Sequence, residues 1–291
     1  MRLWSRDAFW GYVLIGPYLI HLAVFAVGPI VASLILSFTD YEVVRAPTWA
    51  GLANYVKAFR DPVLGKAAVN TLYFVVGTVP VTTVLALVLA ILLNRSLPGQ
   101  TFFRAGFFVP TLVSMVVLSL VFKQLYAQDG ILNQALSLLG IQGKAWLLDE
   151  RTALPGIMLM DVWSAIGYYM LLFLAGLQAI PRELYEAASM DGSSKLSQVF
   201  QITLPHLRPV ALVVIVVNTI RSFQVFIEVF VMTRGGPLNS TLTVVYDLYE
   251  RAFYRFEMGY ASAIAYLLFA VIFLVSLAQA RFLRLGQPVG G

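Results

Sequence analysis

Ala153-Leu-Pro-Gly-Ile-Met-Leu-Met-Asp-Val-Trp-Ser-Ala-Ile-Gly-Tyr-Tyr-Met-Leu-Leu-Phe-Leu-Ala-Gly-Leu-Gln-Ala-Ile180 is a run of 28 residues with one charged side chain, Asp161. A bilayer core of roughly 30 Å is crossed by about 20 mostly apolar residues in a helix. The run is therefore a spanning helix that carries one expensive charge. Five other stretches qualify on the same count: Phe9 to Phe38, Val69 to Leu93, Ala105 to Phe122, Pro209 to Met232 and Met258 to Ala280. The sequence predicts an all-α integral membrane protein with six transmembrane helices.

Composition agrees. Of 291 residues, 59% are hydrophobic and 12% charged, and the mean hydropathy is +0.81. A soluble chain runs nearer 45–50% apolar and about 25% charged, so this one has too little polar surface to cover itself. There is no cysteine, which removes disulfides, thiolate metal sites and cysteine nucleophiles together. The two histidines, His21 and His206, are far apart, so a histidine metal site would need carboxylates. The net charge of +5 suits helix ends facing anionic headgroups and does not point to nucleic acid.

Arg2 and Arg6 ahead of the first apolar run mimic a signal peptide, but that run far exceeds the about 7–15 residues of a signal core. It reads as a retained helix, with Pro17 and Pro29 as candidate kinks. Lysine and arginine leave the orientation nearly tied. With a cytoplasmic N-terminus, nine face inside and ten outside, Arg221 being within a span. After the first span, Leu52, Tyr55, Val56 and Phe59 recur at helical spacing and predict a short interfacial helix.

Between the fourth and fifth spans lies a different kind of segment. Pro181 suits the first position of a helix, and Arg182 to Met190 are good helix formers with small Ala187 and Ala188. Asp191-Gly192 ends that helix, since glycine takes the left-handed conformation without steric cost. Ser193 or Ser194 caps a second helix, with Leu196, Val199, Phe200 and Thr203 on one face, which Pro205 and Pro209 end. The result is a compact two-helix knuckle.

Glu186-Ala187-Ala188, three residues, Gly192, nine residues and Ile202-x-Leu204-Pro205 resemble the EAA loop of bacterial ABC importer permeases. Leu177-Gln-Ala-Ile-Pro181, Gly51-Leu-Ala-Asn-Tyr55, Asn70-Thr71, Phe103-Arg104 to Pro110, and Thr233-Arg-Gly-Gly-Pro237 are similar to the carbohydrate-uptake group. That group is typified by the maltose and glycerol-3-phosphate permeases, and the likeness runs from Phe9 onward. The chain departs from the larger maltose subunit in lacking a big extracytoplasmic insertion and extra N-terminal helices.

The resemblance implies a single transmembrane domain over residues 9–283, with cytoplasmic tails at 1–8 and 284–291, in a bacterial or archaeal inner membrane. It implies a second homologous permease, an ATPase dimer and an extracytoplasmic solute-binding protein as partners. ATP and magnesium would be bound by the ATPase, with no cofactor in this chain. It places the EAA loop in the cytoplasm and assigns Glu186, Ala187, Ala188, Asp191 and Gly192 to docking on the ATPase. Sugar contacts in such permeases come from the helices before and after that loop.

Residue facing then selects candidates on those two helices. Asp161, Ser164, Ala165 and Tyr168 share one face of the fourth span, and Asn218, Arg221, Ser222, Val225 and Glu228 one face of the fifth. Intramembrane charge is usually functional and usually paired. Tyr168 and nearby Trp163 are candidates to stack on a sugar ring, and Asn218 and Ser222 to bond its hydroxyls. Arg221 either meets an anionic or diol-rich solute or forms a structural ion pair with Asp161 or Glu228.

No G-x-x-x-x-G-K-[S/T] phosphate loop is present, because Gly140-Ile-Gln-Gly-Lys144 is too short, so the chain is not expected to be an enzyme. The competing reading is an ion-coupled secondary transporter using Asp161 or Glu228. It would call for inverted repeats and broken helices at the midplane, and neither is visible in the sequence.

Overall fold

The computed structural model describes residues 6–94 and 98–284. Residues 1–5 and 285–291, most of the two expected tails, lie outside them, as does Arg95. Contacts gather the described chain into two units within the expected single domain. One comprises residues up to Asp61 together with Leu248–Leu268, the other Pro62–Asp247 together with residues from Phe269 on. Five helical stretches are long and apolar enough to cross a membrane, and a bent pair makes a sixth.

In the first unit, α1 (Arg6–Leu22) and α2 (Gly28–Ser37) are joined by a π turn, Ala23–Val27. Pro17 passes without a break. The π turn lies just before Pro29, whose ring would strike the Phe25 carbonyl in a regular helix; the wider turn makes the room. The short strands β1 (Thr39–Asp40) and β2 (Thr48–Trp49) pair antiparallel and lead to α3 (Ala53–Arg60). Asn54 orients α3 by donating to the Ser37 and Thr39 carbonyls at 3.0 and 2.8 Å. That leaves Leu52, Val56 and Phe59 exposed, as an interfacial helix requires, while Tyr55 turns in to Ser37 at 2.7 Å. Buried Arg251 closes the unit, pairing with Asp61 at 2.7 Å and Glu257 at 3.7 Å.

The second unit is organised around α8 (Ala153–Gln178), whose most apolar stretch is 61% buried against 33% for α4 (Pro62–Leu93). Helix α4 starts seven residues before the expected Val69. Its small Ala86 and Ala90 let it approach α8, where Tyr169, Met170, Phe173, Leu174 and Leu177 form the core. Leu207 and Val214 of α11 (Leu204–Phe223) complete it. Small residues at the contact are what membrane helices use, since lipid supplies no hydrophobic drive for them to associate. Gly167 is the extreme case: a Cβ there would lie 1.9 Å from the Phe107 carbonyl oxygen of α5 (Gln100–Leu112).

Two expected spans are not straight. The third, Ala105 to Phe122, breaks into α5 and α6 (Met115–Leu125), bent by 98°, and the short α7 (Ile131–Leu138) follows. Pro110 lies in the last turn of α5, and Val113 and Ser114 are extended at ψ 139° and 133°, with Ser114 in the N-cap position of α6. The fifth begins earlier than Pro209. The helix from α10 (Lys195–Gln198) runs through a π turn, Val199–Thr203, into α11. Pro205 therefore does not end the helix, because the π turn accommodates it as the other accommodates Pro29. Pro209 also lies within α11. The break comes later, at Gln224 to Phe226, before α12 (Ile227–Met232). Thr243 donates to the Val225 carbonyl freed there, at 3.1 Å.

Candidate functional site

The charged site forms where α8, α11 and α12 meet. Arg221 reaches across to Asp161 with both guanidinium ends, Nη2 to Oδ1 at 2.5 Å and Nη1 to Oδ2 at 3.4 Å. Glu228 stands 3.8 Å from the same Nη2. The side chains of Asp161 and Glu228 are 3% and 8% exposed, whereas that of Arg221 is 34% exposed. Of the two roles expected for Arg221, the ion pair is present, and it involves both carboxylates. Arg221 and Glu228, seven residues apart on the fifth span, do meet as expected for one helix face. The helix is interrupted at Gln224 to Phe226, and Glu228 of α12 still reaches Arg221.

Beside the triad is a cavity of about 230 Å³. Ser164, Ala165, Tyr168 and Arg221 line it, joined by residues that periodicity did not select: Tyr169, Val217, Thr111 and Met115. Thr111 and Met115 arrive only because the third span is broken there; Thr111 donates to the Ser164 carbonyl at 3.1 Å. Irregular backbone at membrane depth is tolerated where it lines a cavity or is buried in protein. Pro110 followed by Val113-Ser114 was the available signal.

The remaining candidates lie elsewhere. Trp163 is outside the cavity and packs on Phe122, ring centroids 5.4 Å apart. Ser222 accepts from Thr78 of α4 at 3.3 Å. Asn218, one turn away on α11, is fully buried, and Val225 is 4% exposed. Among the described residues no group of three or more potential metal ligands occurs.

The knuckle between α8 and α11 has the expected outline. Helix α9 (Arg182–Met190) follows Pro181, which takes the N-cap position rather than the first helical one. Gly192 has φ +79°. The Ser193 N–H bonds the Ala188 carbonyl at 2.9 Å and the Gly192 N–H that of Ser189 at 3.1 Å, the paired bonds of a left-handed helix stop. Ser194 is the cap of α10, accepting from the Ser197 N–H at 3.2 Å. Gln198 ties the two helices, donating to Ser189 at 2.9 Å, and Tyr185 meets Thr203 at 3.0 Å. The expected face of the second helix is split: Thr203 is buried, but Leu196 and Phe200 are exposed and Gln198 is buried instead. Glu186, Ala187, Asp191 and Gly192 are exposed, and Ala188 is half-buried.

Residues 82–284 match the sequence profile of the family described as binding-protein-dependent transport system inner membrane component. The chain belongs to that family. The permease is 36% identical over 277 residues to a probable ABC transporter permease protein, YesP, of Bacillus subtilis, covering 94% of this chain and 89% of the relative. It is 35% identical over 276 residues to the lactose transport system permease protein LacF of Rhizobium radiobacter, with 92% of each chain covered. Its fold superposes on a crystal structure of a bacterial ABC transporter that imports the acidic polysaccharide alginate, with TM-score 0.86 and 20% identity, over 97% and 98% of the two chains. That transporter in complex with a pentasaccharide-bound periplasmic protein gives TM-score 0.85 at 19% identity, over 96% of both chains.

The permease is thus a non-catalytic, multi-pass subunit of an ABC importer of the inner membrane, and nothing favours the ion-coupled alternative. One broken span of the kind that the alternative required is present, in α5–α6. It lines a cavity in a transporter of another class, so a broken span does not discriminate between the two.

Proposed function

We propose that the permease forms the solute path for a carbohydrate, together with a second homologous permease, and that a separate ATPase dimer drives it through the knuckle. ATP and magnesium belong to that ATPase. The observation that carries the reading is mechanical: α8 and α11 line the cavity, and the knuckle is tied directly to their neighbouring ends. The hydrogen bonds from Gln198 and Tyr185 make it a rigid piece. Glu186, Ala187, Ala188, Asp191 and Gly192 dock on the ATPase from the cytoplasm, with both chain termini on that side. Closure of the ATPase then turns α8 and α11 as one body, which opens the cavity to alternate sides.

Carbohydrate is favoured by the lactose permease among the relatives and by a cavity that offers Tyr168 for stacking and Ser164, Thr111 and Arg221 for hydroxyls. In this reading, Asp161 orients Arg221 rather than touching the solute. Purification from native membranes in mild detergent, with mass spectrometry, tests the assembly. A second permease and an ATPase should co-purify, and adding the sugar-loaded binding protein should stimulate ATP hydrolysis. A lone, monodisperse chain without nucleotide-dependent transport would refute the reading.

A further inference from the structure

We propose that the segment 233–244 is a strap by which α4 carries α12, so that a turn of the knuckle reaches the far end of the solute path, and that Asn70 and Thr71 are its positioning residues. The inference rests on the transport reading. Helix α11, which leaves the knuckle, is interrupted at Gln224 to Phe226 before α12 begins, so the direct route along the chain has a weak point. Helix α4 has none. Its 32 residues run unbroken from Pro62 to Leu93, about 48 Å at 1.5 Å per residue. At one end Ile91 lines a cavity with Tyr185 and Gln198 of the knuckle. At the other, α4 grips the segment that follows α12.

Lys66 donates to the Leu238 carbonyl at 2.6 Å, and the Asn70 amide to those of Asn239 and Leu242, both at 2.9 Å. Thr71 accepts from the Val244 N–H at 3.0 Å. The segment also braces itself. Thr233 and Thr241 meet at 2.7 Å, Thr241 donates to the Gly236 carbonyl at 2.7 Å, and Thr243 holds the Val225 carbonyl inside the interruption. Arg234, Leu238 and Asn239 have φ of +51°, +47° and +60°, conformations that such residues keep where their surroundings fix them. The strap is therefore shaped by what holds it. Met232, Thr233, Gly236 and Pro237 form one wall of a second cavity, of about 490 Å³, so moving the strap reshapes that end of the molecule. Asn70-Thr71 and the loop that opens with Thr233-Arg-Gly-Gly-Pro237, which sequence likeness left without a role, are joined here.

The test compares Asn70→Leu and Thr71→Val with the unsubstituted chain in the assembled transporter in lipid nanodiscs. Because the sequence has no cysteine, Leu92→Cys and Leu238→Cys, both exposed sites, each take one spin label. Their separation reports whether the strap is seated on α4. Coupling is reciprocal, so a loosened strap should also weaken the hold of the binding protein on the ATPase. Both variants should broaden the distance distribution and keep basal ATP hydrolysis within about twofold, while stimulation by the sugar-loaded binding protein falls about fivefold or more, the equivalent of one lost hydrogen bond. An unchanged distance in either folded variant would overturn the proposal. So would a broadened distance with full stimulation, or a fall in basal hydrolysis that matches the fall in stimulation. Thr71→Val keeps the side-chain shape and carries the test alone if Asn70→Leu does not fold. An unsubstituted transporter that the binding protein fails to stimulate refutes the transport reading instead, whatever the distances show.

Discussion

Replacing Asp161 with alanine removes the partner that fixes Arg221 and leaves a guanidinium at membrane depth with only Glu228, 3.8 Å away. Breaking a fully buried pair costs about 3–5 kcal/mol, whereas interhelical polar contacts in membranes average nearer 0.6 kcal/mol. Asp161 is 3% exposed at its side chain but Arg221 is 34% exposed beside a cavity, so the loss falls between those limits. About 2 kcal/mol is expected, as the stranded cation is partly relieved by water and by Glu228. Glu228→Gln leaves the two-ended Arg221–Asp161 pair intact and removes one long contact, so it should cost about 0.6 kcal/mol, the average for an interhelical polar contact in a membrane. Thermal unfolding of the assembled transporter in nanodiscs reads the difference, with a fall of a few degrees for Asp161→Ala and almost none for Glu228→Gln. Equal shifts for the two variants, or no shift for Asp161→Ala, would refute the assignment of Asp161 as the residue that holds Arg221.

Three further perturbations have defined outcomes. Gly192→Asp forces a side chain into a φ of +79° on the exposed knuckle; a local cost of about 1–2 kcal/mol should lower ATPase co-purification and uncouple uptake, and normal values of both would remove the coupling role. Gly167→Leu drives its Cβ to within 1.9 Å of the Phe107 carbonyl oxygen, so α5 must leave α8 and the yield of folded protein should drop several-fold, measured by detergent size-exclusion chromatography. Thr243→Val deprives the Val225 carbonyl of its donor at the break between α11 and α12; about 1 kcal/mol of stability should go, read as a lower midpoint of thermal unfolding.

Much of this protein was legible in its residue order, for reasons that are local. An apolar run of about 20 residues has one low-energy state in a bilayer, the helix, because lipid offers no partners for a free backbone. The knuckle is equally local. Asp191-Gly192 stops α9 because glycine alone takes a left-handed φ freely, and Ser194 caps the helix that follows. Intramembrane charge is rare enough that Asp161, Arg221 and Glu228 stood out before any contact was known.

What periodicity misjudged was where helices break or continue. Pro205 and Pro29 were expected to end or kink helices, yet each sits just past a π turn that widens around its ring. The third span does stop shortly after Pro110, at Val113-Ser114, but Gln224 to Phe226 carry no such punctuation, and the helix interruption there is held by a hydrogen bond from Thr243, 18 residues further along the chain. Such choices depend on groups far away in sequence. The same holds for the site. Sequence determined that two carboxylates and one arginine would lie within the membrane, since burial there admits no other reading of those spans. Only the tertiary structure decided that Arg221 turns to Asp161 with both ends and that the bent third span opens a cavity beside it. Which opposite charges meet, and which face stays wet, follows from the packing of α5, α8, α11 and α12 against one another, and no window of one helix contains that information.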